Sequence, residues 1–259
     1  MNMKKKKIGN IIEALKLPKS REFNNDTKIE DFNKYKKTPY HTWPEHWKKI
    51  FYKAYPKMEQ ILLPIPTKPK WSLVDALIQR ESKRDFTREA VEVESFSNLL
   101  FYSGGLKEFV FKESTNKRFY PSAGARYPLE IYPFVFKVKN IKPSIYHYHI
   151  KSHSLEKIYG KPFFNITMRQ FDQPWIRKSS VLLVVSAIFD RTENKYGNRG
   201  LRHIYTEYGH YAQNISLIAS ELGLGACSIG GFIDDGLNRL LDFDKIDESV
   251  VGVIAVGTI

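Results

Sequence analysis

Three short runs of this chain carry residue types that could do chemistry together. The first is Arg80-Glu81-Ser82-Lys83-Arg84. Guanidinium forks match phosphate oxygens bidentately, and a serine between them adds a hydroxyl donor. The spacing predicts a helix end here, with arginines four apart on one face. A solvated, charged helix terminus is the plainer reading. The second run, Tyr120-Pro121-Ser122-Ala123-Gly124-Ala125, is bounded by Arg118 and Arg126 and leads into a strand. Small residues between prolines let backbone N–H groups approach a ligand closely; the alternative is an ordinary turn. The third is Lys195-Tyr196, read as part of a loop. Both side chains have ordinary pKa values of about 10. Each needs a low-dielectric or cationic setting to serve as a base at neutral pH. Without one, they are an exposed lysine and a packing tyrosine.

Other patterns fail on inspection. Gly223-x-Gly225-x-x-Ser228 half-matches a dinucleotide fingerprint, but it follows a helix where that motif must follow a strand. Ala226-Cys227-Ser228-Ile229-Gly230 is one residue from a nucleophile elbow, yet no histidine follows His210. What remains is the pair Gly230-Gly231, able to bring backbone amides against something flat. His203, Glu207 and His210 fall on one helix face but lack a metal-binding spacing, so no metal is expected. His147 and His149 share a strand face and read as packing or surface residues.

The elements that must hold these runs come from periodicity. The chain has 259 residues, 42% of them hydrophobic, enough for one substantial core. Residues 1–70 are rich in Lys, Asn and Pro. They read as a helical extension (helices near Ile8–Leu17 and Pro44–Tyr55) ending in a proline-rich linker, Leu63 to Pro69. Residues 71–259 read as the main domain. Strands are expected over Glu130–Val138, Ser144–Ile150, Ser180–Ile188 and Val250–Val256. Ile204, Tyr208, Tyr211, Ile215, Ile218 and Leu222 predict a long helix from Leu201 to Leu222. Gly225 to Phe232 reads as a turn-rich connection before a short helix. Helices and strands without regular βαβ repetition indicate α+β.

Composition narrows the setting. The single cysteine, Cys227, excludes an intrachain disulfide framework and points to a reducing cytoplasm. No apolar run approaches the ~20 residues that cross a bilayer, and no signal-peptide core follows the basic N-terminus, so no membrane association is expected. The formal charge of +13 suits an anionic partner. No nucleic-acid-binding motif accompanies it, and the scattered lysines read first as a solvated basic surface.

Taken in order, the motifs resemble the SagB-type (ThcOx-type) branch of the nitroreductase superfamily over about Trp71 to Ile259. The matching features are Arg80, Ser82 and Arg84; Tyr120 to Ala125 followed by Tyr127 to Tyr132; Glu207, Gly209, His210, Gln213 and Asn214; and the Gly223–Phe232 stretch. The resemblance implies a nitroreductase-like α+β fold, a mostly antiparallel sheet flanked by helices, and a homodimer with FMN at the subunit interface. Arg80, Ser82 and Arg84 would hold the phosphate and ribityl chain. Ser122, Ala123 and Gly124 would line the other side of the cofactor, and Gly230 and Gly231 the reactive edge. Gln213 and Asn214 complete the implied cofactor-binding set. Many nitroreductases have basic residues after the last strand, whereas this chain stops at Ile259. Either the branch does without them, or some phosphate contacts come from elsewhere, the basic N-terminal region included.

Members of that branch oxidise thiazoline and oxazoline rings in ribosomally made peptides, working with a YcaO-type cyclodehydratase. Lys195 and Tyr196 stand where its catalytic pair stands. The expected activity is oxidation of azoline rings in a precursor peptide, with hydride passing to the flavin and dioxygen regenerating it. An NAD(P)H-dependent nitro- or quinone reductase shares the fold. A non-catalytic flavin-binding subunit of a peptide synthetase is a further alternative.

Overall fold

A computed structural model describes residues 19–30, 39–48, 51–107 and 116–259. The helix expected near Ile8–Leu17 lies outside the described residues. Seven strands form one sheet: β1 (Gln60–Leu62), β2 (Leu129–Val135), β3 (Ser144–His149), β4 (Ser154–Tyr159), β5 (Val181–Ile188), β6 (Leu224–Ile229) and β7 (Glu248–Thr258). Their spatial order is β1-β4-β3-β2-β5-β7-β6, and every neighbouring pair is antiparallel. The fold is the expected α+β arrangement.

β5 is central, and its unbroken apolar run follows from burial on both faces. Val181, Leu183 and Val185 pack with Phe96 and Leu99 of a helix over Val93–Gly104 and with Ile204, Tyr211 and Ile215 of a longer one, Gly200–Glu221. Leu182 and Val184 face Met168, Ile176 and Leu237 on the opposite side. Numbered along the chain, the helices are α1 (Lys19–Asp26), α2 (Glu45–Lys48), α3 (Leu73–Gln79), α4 (Val93–Gly104), α5 (Phe164–Met168), α6 (Asp190–Tyr196), α7 (Gly200–Glu221) and α8 (Asp234–Leu240). Each large aliphatic side chain buried this way contributes roughly 1.5–3 kcal/mol. The frame therefore stands independently of the exposed residues it presents.

Three local expectations differ from the structure. Leu224–Ile229 is a strand, not a turn-rich connection, pairing with β7 from Leu224↔Thr258 to Ile229↔Val253. Its small residues reflect crowding: a Cβ on Gly225 would meet Ile259 Cγ2 at 2.5 Å and Phe86 Cε1 at 3.0 Å. The expected helix over Pro44–Tyr55 is reduced to α2, and residues 51–55 are non-helical. There Lys53 pairs with Glu248, and the Tyr55 N–H donates to Glu156, ties to the sheet that a helix would forgo. Pro56 further disfavours helix at Tyr55. Third, β4 and β1 extend the sheet past β3, and Leu63, just after β1, is buried in the core.

Candidate active site

The register fixes which runs share an end of the sheet. β2 begins opposite the end of β5 (Leu129↔Ala187), and β7 begins there too (Glu248↔Ile188). The Ser122–Gly124 run, just before β2, and α6, just after β5, therefore meet. A Cβ placed on Gly124 would lie 2.5 Å from Lys195 Nζ and 2.7 Å from Tyr196 Oη. Gly124 also has φ +60°, the left-handed conformation that favours glycine. Ser122 anchors the loop by accepting from the Tyr127 N–H at 2.8 Å. Lys195 and Tyr196 lie in the last turn of α6, not in a loop, with Gly197 (φ +55°) ending the helix.

This group is braced from below. Arg191, one turn before Lys195, donates through Nη1 to Glu130 Oε1 at 2.6 Å and to the Tyr127 carbonyl at 3.1 Å. Arg126 Nε returns a bond to the Arg191 carbonyl at 2.6 Å. Glu130 in turn contacts His147 Nε2 at 3.0 Å, and His147 Nδ1 contacts Glu156 at 2.8 Å. His147 is thus a buried bridge between two carboxylates, not the packing residue expected. Burial works against charge here, but Arg191 and the His147 hydrogen bond hold the Glu130 carboxyl down at about 2. The two carboxylates likewise outweigh burial and raise His147. Beneath the loop lies Glu207 of α7, 2% exposed, with Oε1 unpartnered. Burial pushes its carboxyl up to about 7, against a hydrogen bond to Ser122 and the charges of Arg118 and Arg191.

The N-terminal segment closes over the same place. Trp43 is buried, with Lys195 Nζ 5.6 Å and Arg126 Cζ 5.7 Å from its ring centroid. Arg199 and Arg202, just past Gly197, donate to the Thr27 carbonyl (2.6 Å) and hydroxyl (2.7 Å).

The other predicted residues gather elsewhere. Arg80, Ser82 and Arg84 do not continue a helix, because α3 stops at Gln79 and Arg80 is extended. Ser82 bridges Ala226 in parallel, laying the run along the open edge of β6. In extended chain every second side chain shares a face, so 80, 82 and 84 still point together. Glu81 is paired with Lys83 at 3.2 Å, whereas neither arginine forms an ion pair among the described residues. Arg84 packs 5.9 Å from the Trp175 ring. Gly230 and Gly231 follow β6 and are exposed, and a Cβ on Gly231 would meet Gln173 Nε2 at 3.1 Å. From Ser82 to β2 is four strand spacings across the sheet, on the order of 19 Å. One chain therefore does not bring the Arg80–Arg84 run to the Ser122–Gly124 loop.

Gln213 and Asn214 differ in role. Asn214 Nδ2 donates to the Ser103 carbonyl at 3.2 Å, tying α7 to α4, while Gln213 is exposed on α7 beside Gly209 and His210. Sequence reasoning passed over Arg191, Glu130 and His147 as site supports. No spacing in the sequence marks them: His147 faces Glu156 only in the register of β3 and β4. Among the described residues no cluster of three or more His, Cys, Asp or Glu could hold a metal, and no helix is long and apolar enough to cross a membrane.

Comparison with known proteins places this geometry. The nitroreductase family model matches residues 77–258. The chain belongs to the nitroreductase family. A Methanocaldococcus jannaschii protein assigned to the nitroreductases is 32% identical over 194 residues, covering 74% of this chain and 94% of that one. The microcin B17-processing protein McbC of Escherichia coli is 28% identical over 137 residues, half of each chain. Among solved structures, an Anabaena variabilis nitroreductase superposes with TM-score 0.72 at 22% identity. It covers 92% of this nitroreductase, which spans only 46% of the Anabaena chain. The E. coli microcin synthetase McbBCD complex, with truncated pro-MccB17 bound, matches at TM-score 0.61 and 23% identity, covering 83% of this chain and 86% of the other. A Desulfovibrio desulfuricans nitroreductase in complex with FMN matches at TM-score 0.50 and 19% identity over 73% and 86%. These likenesses establish the nitroreductase fold and, with the family, a flavin oxidoreductase.

Proposed function

We propose that this nitroreductase is an FMN-dependent azoline dehydrogenase of the SagB type, oxidising thiazoline or oxazoline rings in a ribosomally made peptide. The convergence of Lys195 Nζ and Tyr196 Oη on Gly124 carries the reading. Two protic groups at one ligand-facing loop are what removal of a ring proton requires, and a simple hydride relay between NAD(P)H and a quinone does not.

The donor set fits the cofactor. Half-buried Arg80 and exposed Arg84 offer forks free of ion pairs among the described residues, with the Ser82 hydroxyl between them, the chemistry a phosphate monoester needs. Gly230 and Gly231 offer exposed backbone, and Ser122, Ala123 and Gly124 a second small-residue surface. The separation of these two groups within one chain supports a homodimer in which each copy completes the other's site. Gln213, exposed on α7, would then face the second copy, while Asn214 holds α7 in place. Residues 71–259 form the flavin-binding unit in this reading, and residues 1–70 its extension.

Conversion of an azoline to an azole removes two hydrogens from the ring. FMN, when bound, would supply the two-electron acceptor for the hydride, with dioxygen as the terminal oxidant. Lys195, exposed in the single chain, would take the proton from the ring carbon onto Nζ once the cofactor and the second copy cover it, with Tyr196 orienting it. Arg191 and Arg126 keep α6 and the Ser122 loop in register, so the base stays at one position. Trp43 shields Lys195 on one side from water. The McbC relationship supports a precursor peptide as substrate and a cyclodehydratase as partner, in a reducing cytoplasm that suits the lone buried Cys227.

The test is anaerobic mixing of the flavin-loaded protein with an azoline-containing peptide. Bleaching of the flavin with loss of two hydrogens from the peptide is expected. A flavin that stays oxidised with the peptide but bleaches with NADPH and turns over nitroaromatics would replace this reading with a reductase.

A further inference from the structure

A cleft lies at the end of the sheet away from Lys195. Phe136 follows the end of β2, Gly160 the end of β4, and Ser179 precedes β5, and together these line a hollow of about 720 Å³. β2, between this cleft and the Ser122 loop, has seven residues, so the two ends stand roughly 20 Å apart. Groups that react must approach to about 3–3.5 Å, so nothing held in this cleft takes part in the chemistry directly.

Its floor is aromatic. Phe136 and Phe163 stack at 5.4 Å with 23° between their planes, and Phe164 meets Phe136 edge-on at 5.1 Å. Its rim is cationic, with Arg88, Lys137, Lys161 and Arg177 all exposed. No carboxylate lines the cleft, and none of the four cations forms an ion pair among the described residues. Of the acids nearby in sequence, Glu92 pairs with Lys139, and exposed Glu89 is not among the residues that line the cleft. Four like charges around one hollow repel one another unless an anion sits among them.

The rim is also preformed. Lys137 donates its N–H to the Ser180 carbonyl at 3.0 Å, and its own carbonyl accepts from the Val91 N–H at 3.1 Å. Arg88 is held at φ +67°, a conformation a non-glycine residue adopts only when its surroundings impose it. A fixed cationic rim over an apolar floor selects a ligand with carboxylates and an apolar anchor.

We propose that this cleft docks an acidic, aromatic- or aliphatic-bearing segment of the substrate peptide, remote from the ring being oxidised. The assignment rests on the peptide-oxidising reading above. A peptide can occupy both ends of the sheet at once, since a dozen extended residues reach roughly 40 Å. A nitroaromatic or quinone cannot. The net charge of +13 finds a use here that the flavin phosphate alone does not give it.

The experiment uses the full-length, flavin-loaded protein and a fluorescein-labelled peptide of about a dozen residues, rich in Glu and Asp with two Phe, followed by fluorescence anisotropy. Binding is expected at low salt and not with the Lys-substituted analogue. K137E/R177E should weaken binding at least about tenfold, as reversal of two exposed charges implies, with flavin content and NADPH-independent photoreduction unchanged. F136S tests the floor and should also weaken it. Absence of binding at low salt, or equal binding by K137E/R177E, overturns the proposal. Displacement of the peptide by equimolar ATP reassigns the cleft to a nucleotide and overturns it too. Azoline oxidation that is indifferent to K137E/R177E at limiting peptide sinks the cleft and leaves the active site standing. Cleft binding without ring oxidation does the reverse.

Discussion

The two groups of predicted ligand-facing residues are built on opposite principles. Beneath Lys195 the supporting charges form a paired chain: Arg191 with Glu130, Glu130 with His147, His147 with Glu156. Around Ser82 the two arginines have none among the described residues, and they lie along an open sheet edge. The first group is a positioned tool, held in place whether or not a ligand arrives. The second is a set of unspent donors. Where the chain invests in buried ion pairs, geometry matters more than affinity. Where it leaves guanidinium groups exposed, the ligand is the missing counter-charge.

That contrast predicts different injuries from different substitutions. The largest should come from Lys195→Ala, which removes the proposed proton acceptor and leaves the frame untouched. Ring oxidation should fall by roughly 10²–10⁴, the usual contribution of a positioned base, with flavin content and melting temperature unchanged. Single-turnover flavin bleaching measures it. Tyr196→Phe separates the pair: a smaller loss assigns the proton to lysine, an equal loss shows the two acting as one unit.

Next in size is Arg191→Met, which leaves the buried Glu130 carboxylate with His147 as its remaining ion-pair partner. Leaving one partner of a buried pair typically costs about 3–5 kcal/mol, whereas removing both is often close to neutral. Denaturant unfolding should show a loss of that order for Arg191→Met, with much of it recovered in Arg191→Met/Glu130→Gln. The acid limb gives an independent check. Glu130 is held at about 2, below its unfolded value, so its stabilisation is complete above roughly pH 4.5 and disappears as pH falls toward 2. The Glu130→Gln variant should lose that part of the acid dependence.

Much of this difference was invisible in the sequence, for a physical reason. Periodicity located β5 and α7 to within a residue or two, because burial on two faces or along one stripe leaves a repeating mark. β6 left none. Gly225 has no room for a side chain because Phe86 and Ile259 crowd it, and the run of small residues it opens reads as a turn. Motifs brought Ser122–Gly124 and Lys195–Tyr196 to notice separately, but only the β2–β5 register sets them in contact. Arg191, Glu130 and His147 come from three elements and carry no common spacing, so their partnership exists only once the strands pair. The arginine run was legible even though its conformation was misread, since period-two extension also aligns residues 80, 82 and 84.

Glu207 offers a subtler break. Its carboxyl is raised to about 7 by burial, so the folded protein holds a proton that the unfolded chain has released above roughly pH 4.5. The folded state then binds more protons between those values, and stability should decline as pH rises from about 4.5 to 7. Glu207→Gln keeps the shape without the charge and should flatten that decline. The expected gain at pH 8 is on the order of 2 kcal/mol, read from unfolding midpoints across pH. An unchanged slope would mean that water reaches Oε1 and that the loop is less firmly braced than Lys195 requires.

The smallest effect is the most discriminating. Arg80→Ala and Arg84→Ala, made singly, should each weaken FMN binding roughly tenfold, about 1.4 kcal/mol, as expected for one solvent-facing fork on a phosphate. Arg80→Ala should leave the melting temperature of the flavin-free protein unmoved, because its side chain makes no internal ion pair among the described residues. Arg84→Ala loses in addition its packing on Trp175, so of the two it is the one to show any change in stability. Titration of flavin-free protein with FMN gives the affinity, and thermal unfolding without flavin gives the control. If either arginine destabilises the empty protein as Arg191→Met does, the open edge of β6 is structural after all. A loss confined to affinity would establish that the second group exists only for its ligand.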